Sequence, residues 1–201
     1  DQPACGEVVF STAMVGYPES LTDPSYSGQI LCVTYPIIGN YGVPADELEN
    51  GISKYFESDK IQVKALVISD YSFNYSHWNA AKSLDQWMKE HQIPGIFGID
   101  TRELTKILRD KGAMKGSIIP EGAQKPEEPV KATPADVCCT EVITYPAQPA
   151  QEVENANGSK AATTEGKKVV VVDCGVKHSI IRGLIARGAE VIRVPFDYDF
   201  T

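Results

Sequence analysis

Lys168-Val169-Val170-Val171-Val172-Asp173-Cys174-Gly175, then Ile180, Ile181, Leu184 and Ile185, then Glu190-Val191-Ile192-Arg193-Val194-Pro195, is the stretch that decides the fold class. The unbroken β-branched run reads as a fully buried strand. Asp173-Cys174-Gly175 reads as a tight turn. The four apolar positions that follow have helical spacing, and Arg187-Gly188 closes that helix. A second strand over 190–195 completes a β-α-β unit, the opening of a doubly wound parallel sheet. Two parallel strands with one helix leave a sheet face uncovered and should not be stable alone. We therefore expect the chain to be a fragment, cut near the start of its second domain.

Residues 120–166, before this unit, have a different composition. They hold six of the 13 prolines and one aromatic, Tyr145. They also hold eight acids and three lysines, five of the eight net negative charges. From Ala147 to Gly166 there is almost nothing to bury, so 147–166 reads as a mobile interdomain linker. A short strand around Val137 to Ile143 is expected to dock on the first domain. Asn157-Gly158-Ser159 matches a glycosylation sequon and, without a signal peptide, reads as chance. The chain begins with Asp1, so an earlier targeting segment is compatible with it.

The first 119 residues read as a mixed α/β unit. Strands are expected at Glu7–Phe10, Gln29–Tyr35, Val63–Ser69, Ile96–Ile99 and Gly116–Ile119. Trp78, Ala81, Leu84 and Met88 fall at helical spacing and predict a helix from Trp78 to about His91, ended by Ile93-Pro94-Gly95. Asp100 and Glu103 fit a capping box for a helix whose inner face is Leu104, Ile107 and Leu108. Lys111-Gly112 gives it a C-terminal exit.

Composition narrows the function classes. With 42% apolar and 23% charged residues the chain is globular. No apolar run approaches the ~18 residues of a membrane helix. A net charge of −8 with no basic stripe argues against nucleic acid. The five cysteines are odd in number and form no C-x-x-C, which favours reduced, intracellular thiols over disulfides or a zinc ribbon.

Motifs for phosphate and dinucleotide cradles are absent, which removes a dehydrogenase reading of the β-α-β. Gly39-Asn40-Tyr41-Gly42 reads as a plain turn. His77, His91 and His178 show no ligand spacing, so no metal site is expected. Cys174 sits where α/β nucleophiles sit, between strand and helix. A nucleophile elbow wants small residues two before and two after, and here these are Val172 and Val176. Cys174 therefore reads as a packing cysteine. Asp23-Pro24-Ser25-Tyr26 is a turn signal whose spacing alone assigns no function.

Long blocks of the chain carry a resemblance. They are Gly6-Glu7-Val8-Val9-Phe10, Met14 through Tyr26, Thr34 through Gly42, Ile99 through Lys106, Arg109 through Gly112, and Val172 through Lys177. In this order they resemble the small chain of glutamine-dependent carbamoyl-phosphate synthase, over all but the linker. The resemblance implies a swivelling β/β/α N-terminal domain (1–146, start missing), a flexible linker (147–166) and the incomplete beginning of a class I glutamine amidotransferase domain (167–201). It implies a protein that supplies ammonia from glutamine to a large synthetase portion, where bicarbonate and ATP yield carbamoyl phosphate. ATP and Mg would belong to that portion, and no cofactor to this chain.

Carried over by position, the resemblance leaves no catalytic residue in this chain. The family's Gly-x-Cys-x-Gly elbow is absent, and its His–Glu pair is expected downstream of Thr201. A Glu-Asp-Gly hairpin turn of the family is also absent, so both ends are expected to be cut. One glutamine-binding residue is implied, Ser25 in the Asp-Pro-Ser-Tyr turn. Ser53-Lys54-Tyr55-Phe56-Glu57-Ser58 and Ser76-His77-Trp78 resemble the eukaryotic fused multifunctional type. That implies a cytoplasmic pyrimidine enzyme, with arginine-pathway or mitochondrial members as the other option. The competing reading is a non-catalytic docking domain of an ammonia-dependent synthase. A cysteine, or instead a serine or alanine, at the downstream elbow separates the two.

Overall fold

The computed structural model describes residues 2–127, 132–151 and 163–201. The linker expectation falls mostly on 152–162, and the sequon wholly so; these lie outside the described residues. The described chain is mixed α/β, with two main sheets and short ribbons around the first.

The first sheet contains β1 (Ala4–Ser11), β2 (Ile30–Val33), β3 (Ala65–Val67), β4 (Gly95–Ile96) and β5 (Met114–Ile118), in the order β4-β3-β2-β1-β5. Strands β1 to β4 run parallel, and β5 joins β1 antiparallel. Strand β2 is central and buried at all four residues. Its side chains alternate between faces, as a period of two requires. Leu31 and Val33 enter a core with Leu21, Leu66, Leu84, Trp87 and Met88. Ile30 and Cys32 enter a second cluster with Ala65 and Val67, covered by Leu104 and Ile99. Both faces are thus occupied, which is why β2 reads as a continuous apolar run.

Helix α1 spans Tyr17–Thr22, α2 Leu84–Glu90, α3 Thr101–Lys111, α4 Pro134–Val137 and α5 His178–Ala186. Helix α2 is shorter than its apolar pattern predicts. Ser83 is its N-cap and accepts the Gln86 N–H. Ala80–Lys82 instead forms a ribbon with Val43–Pro44, and Trp78 is 85% exposed. The polar cap outweighs the apolar spacing that crosses it. At α3, Asp100 accepts the Glu103 N–H at 2.9 Å, while the Glu103 carboxylate pairs with Lys106. Half of the expected box is therefore present. Leu108 is buried, and Leu104 and Ile107 are half-buried.

A hairpin that the sequence reading passed over joins Leu48–Glu49 to Ile52–Ser53. Its two-residue turn is Asn50-Gly51, both with positive φ. Asparagine and glycine are the residues that adopt this turn at least cost.

The second sheet has the order β6 (Ile143–Tyr145), β8 (Glu190–Pro195), β7 (Lys168–Asp173). β7 and β8 are parallel around α5, as the β-α-β pattern predicts. β6 pairs antiparallel with β8. The strand expected on the first domain therefore lies on the second sheet, and Val137 ends a helical turn. β7 is also not fully buried. Val169 and Val171 pack toward Ile181, Ile185 and Val191, while Val170 and Val172 are 51% and 45% exposed. A continuous valine run does not reveal whether one face or two are covered. Ile180 likewise points outward, leaving Ile181 and Ile185 as the inner stripe.

Candidate functional site

Ser25 lies in the turn that follows α1. Proline at position 24 starts a single 3-10 turn, and the Asp23 carboxylate accepts the Ser25 N–H at 2.9 Å. The Ser27 N–H closes onto the Pro24 carbonyl. An aspartate before proline fixes this shape through a local side-chain bond. Ser25 itself is exposed.

Across from it is the turn at the end of β7. Asp173 Oδ1 accepts the N–H groups of Gly175 and Val176, each at 2.8 Å. Gly175 has φ +98°, and a Cβ there would come within 2.9 Å of Val137 and 3.2 Å of Pro24. Only glycine combines that φ with so close an approach. The two turns thus line one cleft of about 560 Å³, with Ser25, Pro24, Gly28, Pro134, Val137 and Cys174 on its walls. Cys174 is exposed there and not packed, so its reading as a packing residue is corrected.

Asp173 anchors this wall. It is fully buried, and Oδ2 takes the Cys139 N–H at 2.7 Å and the Arg193 guanidinium at 2.6 and 2.7 Å. Burial alone would raise its pKa. The amides of Val176, Cys139 and Gly175, together with Arg193, outweigh that and hold it below the usual carboxylate value. A buried ion pair is stable only when its remaining valences are met, and these are.

The seam is held by a second cluster. The Glu57 carboxylate accepts the Ser179 N–H at 2.8 Å and lies 3.6 Å from the Arg182 guanidinium, which also donates to the Ser53 and Phe56 carbonyls. Lys177 approaches Asp23 at 3.5 Å. His178 is buried, with its N–H on the Glu57 carbonyl and Nε2 3.8 Å from Asp59. Burial lowers its pKa, Asp59 and Glu57 oppose that, and Arg193 and Arg182 reinforce it.

The structure therefore brings Ser25 and Cys174 to one cleft. It leaves His77 beside Tyr41 and Trp78, and His91 at the end of α2. Among the described residues no His, Cys, Asp and Glu group suits a metal ion. Gly39 to Gly42 is a closed turn, the Gly42 N–H bonding the Gly39 carbonyl. Sequence reasoning missed Glu57, Asp173, Arg182 and Arg193. An arginine at the centre of the apolar strand Glu190–Pro195 was the one local sign of a buried partner. Among the described residues no helix is long and apolar enough to cross a membrane.

The chain has known relatives. The family model "Carbamoyl-phosphate synthase small chain, CPSase domain" matches residues 1–118. The chain is 49% identical over 197 residues to the multifunctional protein CAD of Squalus acanthias, covering 97% of this chain and 8% of that protein. It is 48% identical over 200 residues to the mitochondrial carbamoyl-phosphate synthase (ammonia) of Homo sapiens, covering 98% and 12%. It is 43% identical over 194 residues to the carbamoyl phosphate synthase small chain of Saccharolobus solfataricus, covering 96% and 50%. The chain thus spans half or less of the length of these relatives. With the family model covering more than half of its residues and the relatives nearly all of them, the chain belongs to the carbamoyl-phosphate synthase small-chain family.

Proposed function

We propose that this chain is the N-terminal part of the glutamine-hydrolysing portion of a carbamoyl-phosphate synthase. Its first sheet with the surrounding ribbons is the family's swivelling domain. Its β6–β8 sheet with α5 is the start of a class I glutamine amidotransferase domain. The partner is a synthetase portion, separate or fused, that uses ATP, Mg and bicarbonate in pyrimidine or arginine biosynthesis. Its location is the cytoplasm, with the mitochondrion as the other option.

In this reading the chemistry is thiol-based amide hydrolysis. A cysteine thiolate outside residues 1–201 attacks the glutamine side-chain amide, ammonia leaves, and water hydrolyses the thioester. Ser25 contributes binding. Its hydroxyl both donates and accepts, which suits an amino-acid substrate held at a boundary between two units.

The observation that carries the reading is the cleft shared by Ser25 and the Asp173–Gly175 turn. Steady-state kinetics of Ser25→Ala in the full-length synthase tests it. One neutral hydrogen bond is worth ~0.5–1.5 kcal/mol, so kcat/KM for glutamine should fall roughly two- to tenfold. Synthesis from ammonium chloride should hold. Equal losses with both nitrogen donors would remove Ser25 from the substrate site.

A second reading is a docking domain of an ammonia-dependent synthase. It is favoured by the relative named for ammonia, whose 48% identity stands beside the 49% of the CAD relative. A serine or alanine at the centre of the downstream elbow would select it.

A further inference from the structure

Glu57 stands where the two units meet and touches both. Its carboxylate takes the Ser179 N–H in the first turn of α5 and faces Arg182 one turn later. Its carbonyl takes the His178 N–H at 3.0 Å. Its own N–H donates to the Thr22 hydroxyl at 3.0 Å. That hydroxyl donates back to the Pro18 carbonyl of α1, and the Ser58 hydroxyl donates to the Thr22 carbonyl. Thr22 is followed directly by Asp23 and the Ser25 turn. One buried residue is thus bonded to the first turn of α5 on one side and to the residue before the Ser25 turn on the other.

We infer that Glu57 is a positioning residue that sets the Ser25 turn against the second unit, and so sets the fit of glutamine in the cleft. The inference rests on the reading that Ser25 binds glutamine. A carboxylate at a helix N-terminus is favoured by the unpaired amides and the helix dipole. Its pairing with Arg182 compensates the charge in this half-closed setting. Neither contact reaches the cleft itself, so Glu57 acts only through the placement of Thr22 to Ser25. The backbone bonds of Glu57 to Thr22 and His178 survive the loss of its carboxylate. Arg182 on the Ser53 and Phe56 carbonyls and Lys177 on Asp23 also cross the seam, which limits the displacement.

The test is a double-mutant cycle between Glu57 and Ser25 in the full-length synthase, read as KM and kcat with glutamine and with ammonium chloride. Glu57→Ala should raise KM for glutamine by no more than Ser25→Ala does, roughly two- to fivefold, and leave kcat with ammonium unchanged. In a Ser25→Ala background the same change should have almost no further effect on KM, because the group it positions is gone. If Glu57→Ala folds poorly, Glu57→Gln keeps an oxygen for the Ser179 N–H and loses only the charge facing Arg182. A smaller KM increase, again absent beside Ser25→Ala, is then expected. A Glu57 effect that adds in full to that of Ser25→Ala, or falls on both nitrogen donors alike, overturns the inference and leaves the glutamine site standing. No KM change from Ser25→Ala alone removes the site reading, and the positioning role with it.

Discussion

At Asp173 a single buried carboxylate organises the cleft wall. Five donor atoms converge on it, from Cys139, Gly175, Val176 and twice from Arg193. Removing the charge should leave Arg193 buried without its partner, at a cost of ~3–5 kcal/mol. Urea denaturation of Asp173→Asn at pH 7 measures this, and a loss below ~1 kcal/mol would contradict the burial argument. The pKa of Asp173 is held below its unfolded value of about 3.9. Its contribution is therefore complete above about pH 4 and is lost as pH falls through the lowered value. His178 acts over a higher range. Its folded pKa is lowered by burial, so above about pH 6.5 both states are neutral and no penalty exists. Below that the unfolded chain takes up the proton first and stability declines. His178→Leu should flatten the stability curve below about pH 6.5. An unchanged slope would mean that another group titrates there. Gly175→Ala combines a positive φ with contact against Val137 and Pro24, and should cost about 1–3 kcal/mol in thermal unfolding.

The elements differ in how far the sequence disclosed them. The β-α-β of β7, α5 and β8 was legible because its apolar periods switch cleanly from strand to helix and back. The depth of β7 was not, because Val170 and Val172 read like Val169 and Val171 although only the latter face α5. Helix α2 was overextended, since Trp78 and Ala81 continue the apolar spacing past the cap at Ser83. Strand β6 was assigned to the wrong sheet because register and partner are set by long-range pairing, here Tyr145 against Val191. These positions predict protection. Amides of β2, paired on both edges and buried on both faces, should exchange slowest. Within the second sheet β8, paired on both edges, should exchange more slowly than β7. Hydrogen exchange mapped by mass spectrometry checks the order. Faster exchange in β8 than in β7 would contradict the sheet order.

For the whole molecule, the proposed function places the site at the seam between the two sheets. Ser25 is proposed only through resemblance, because a serine in an Asp-Pro turn has a sufficient local role in bonding backbone. The residues that surround it were hidden for a different reason. Glu57 and Arg182 lie 125 positions apart, and no local period links them. Asp173 and Arg193 sit in separate strands whose pairing exists only after folding. In the proposed function, the cleft bounded by the Ser25 turn and the Asp173–Gly175 turn receives glutamine. A crystal structure of the full-length synthase with a non-hydrolysable glutamine analogue tests it most directly. Ser25 Oγ should lie within about 3.2 Å of a polar atom of the analogue. An analogue bound with Ser25 Oγ beyond hydrogen-bond reach, with the seam cleft empty, would contradict it.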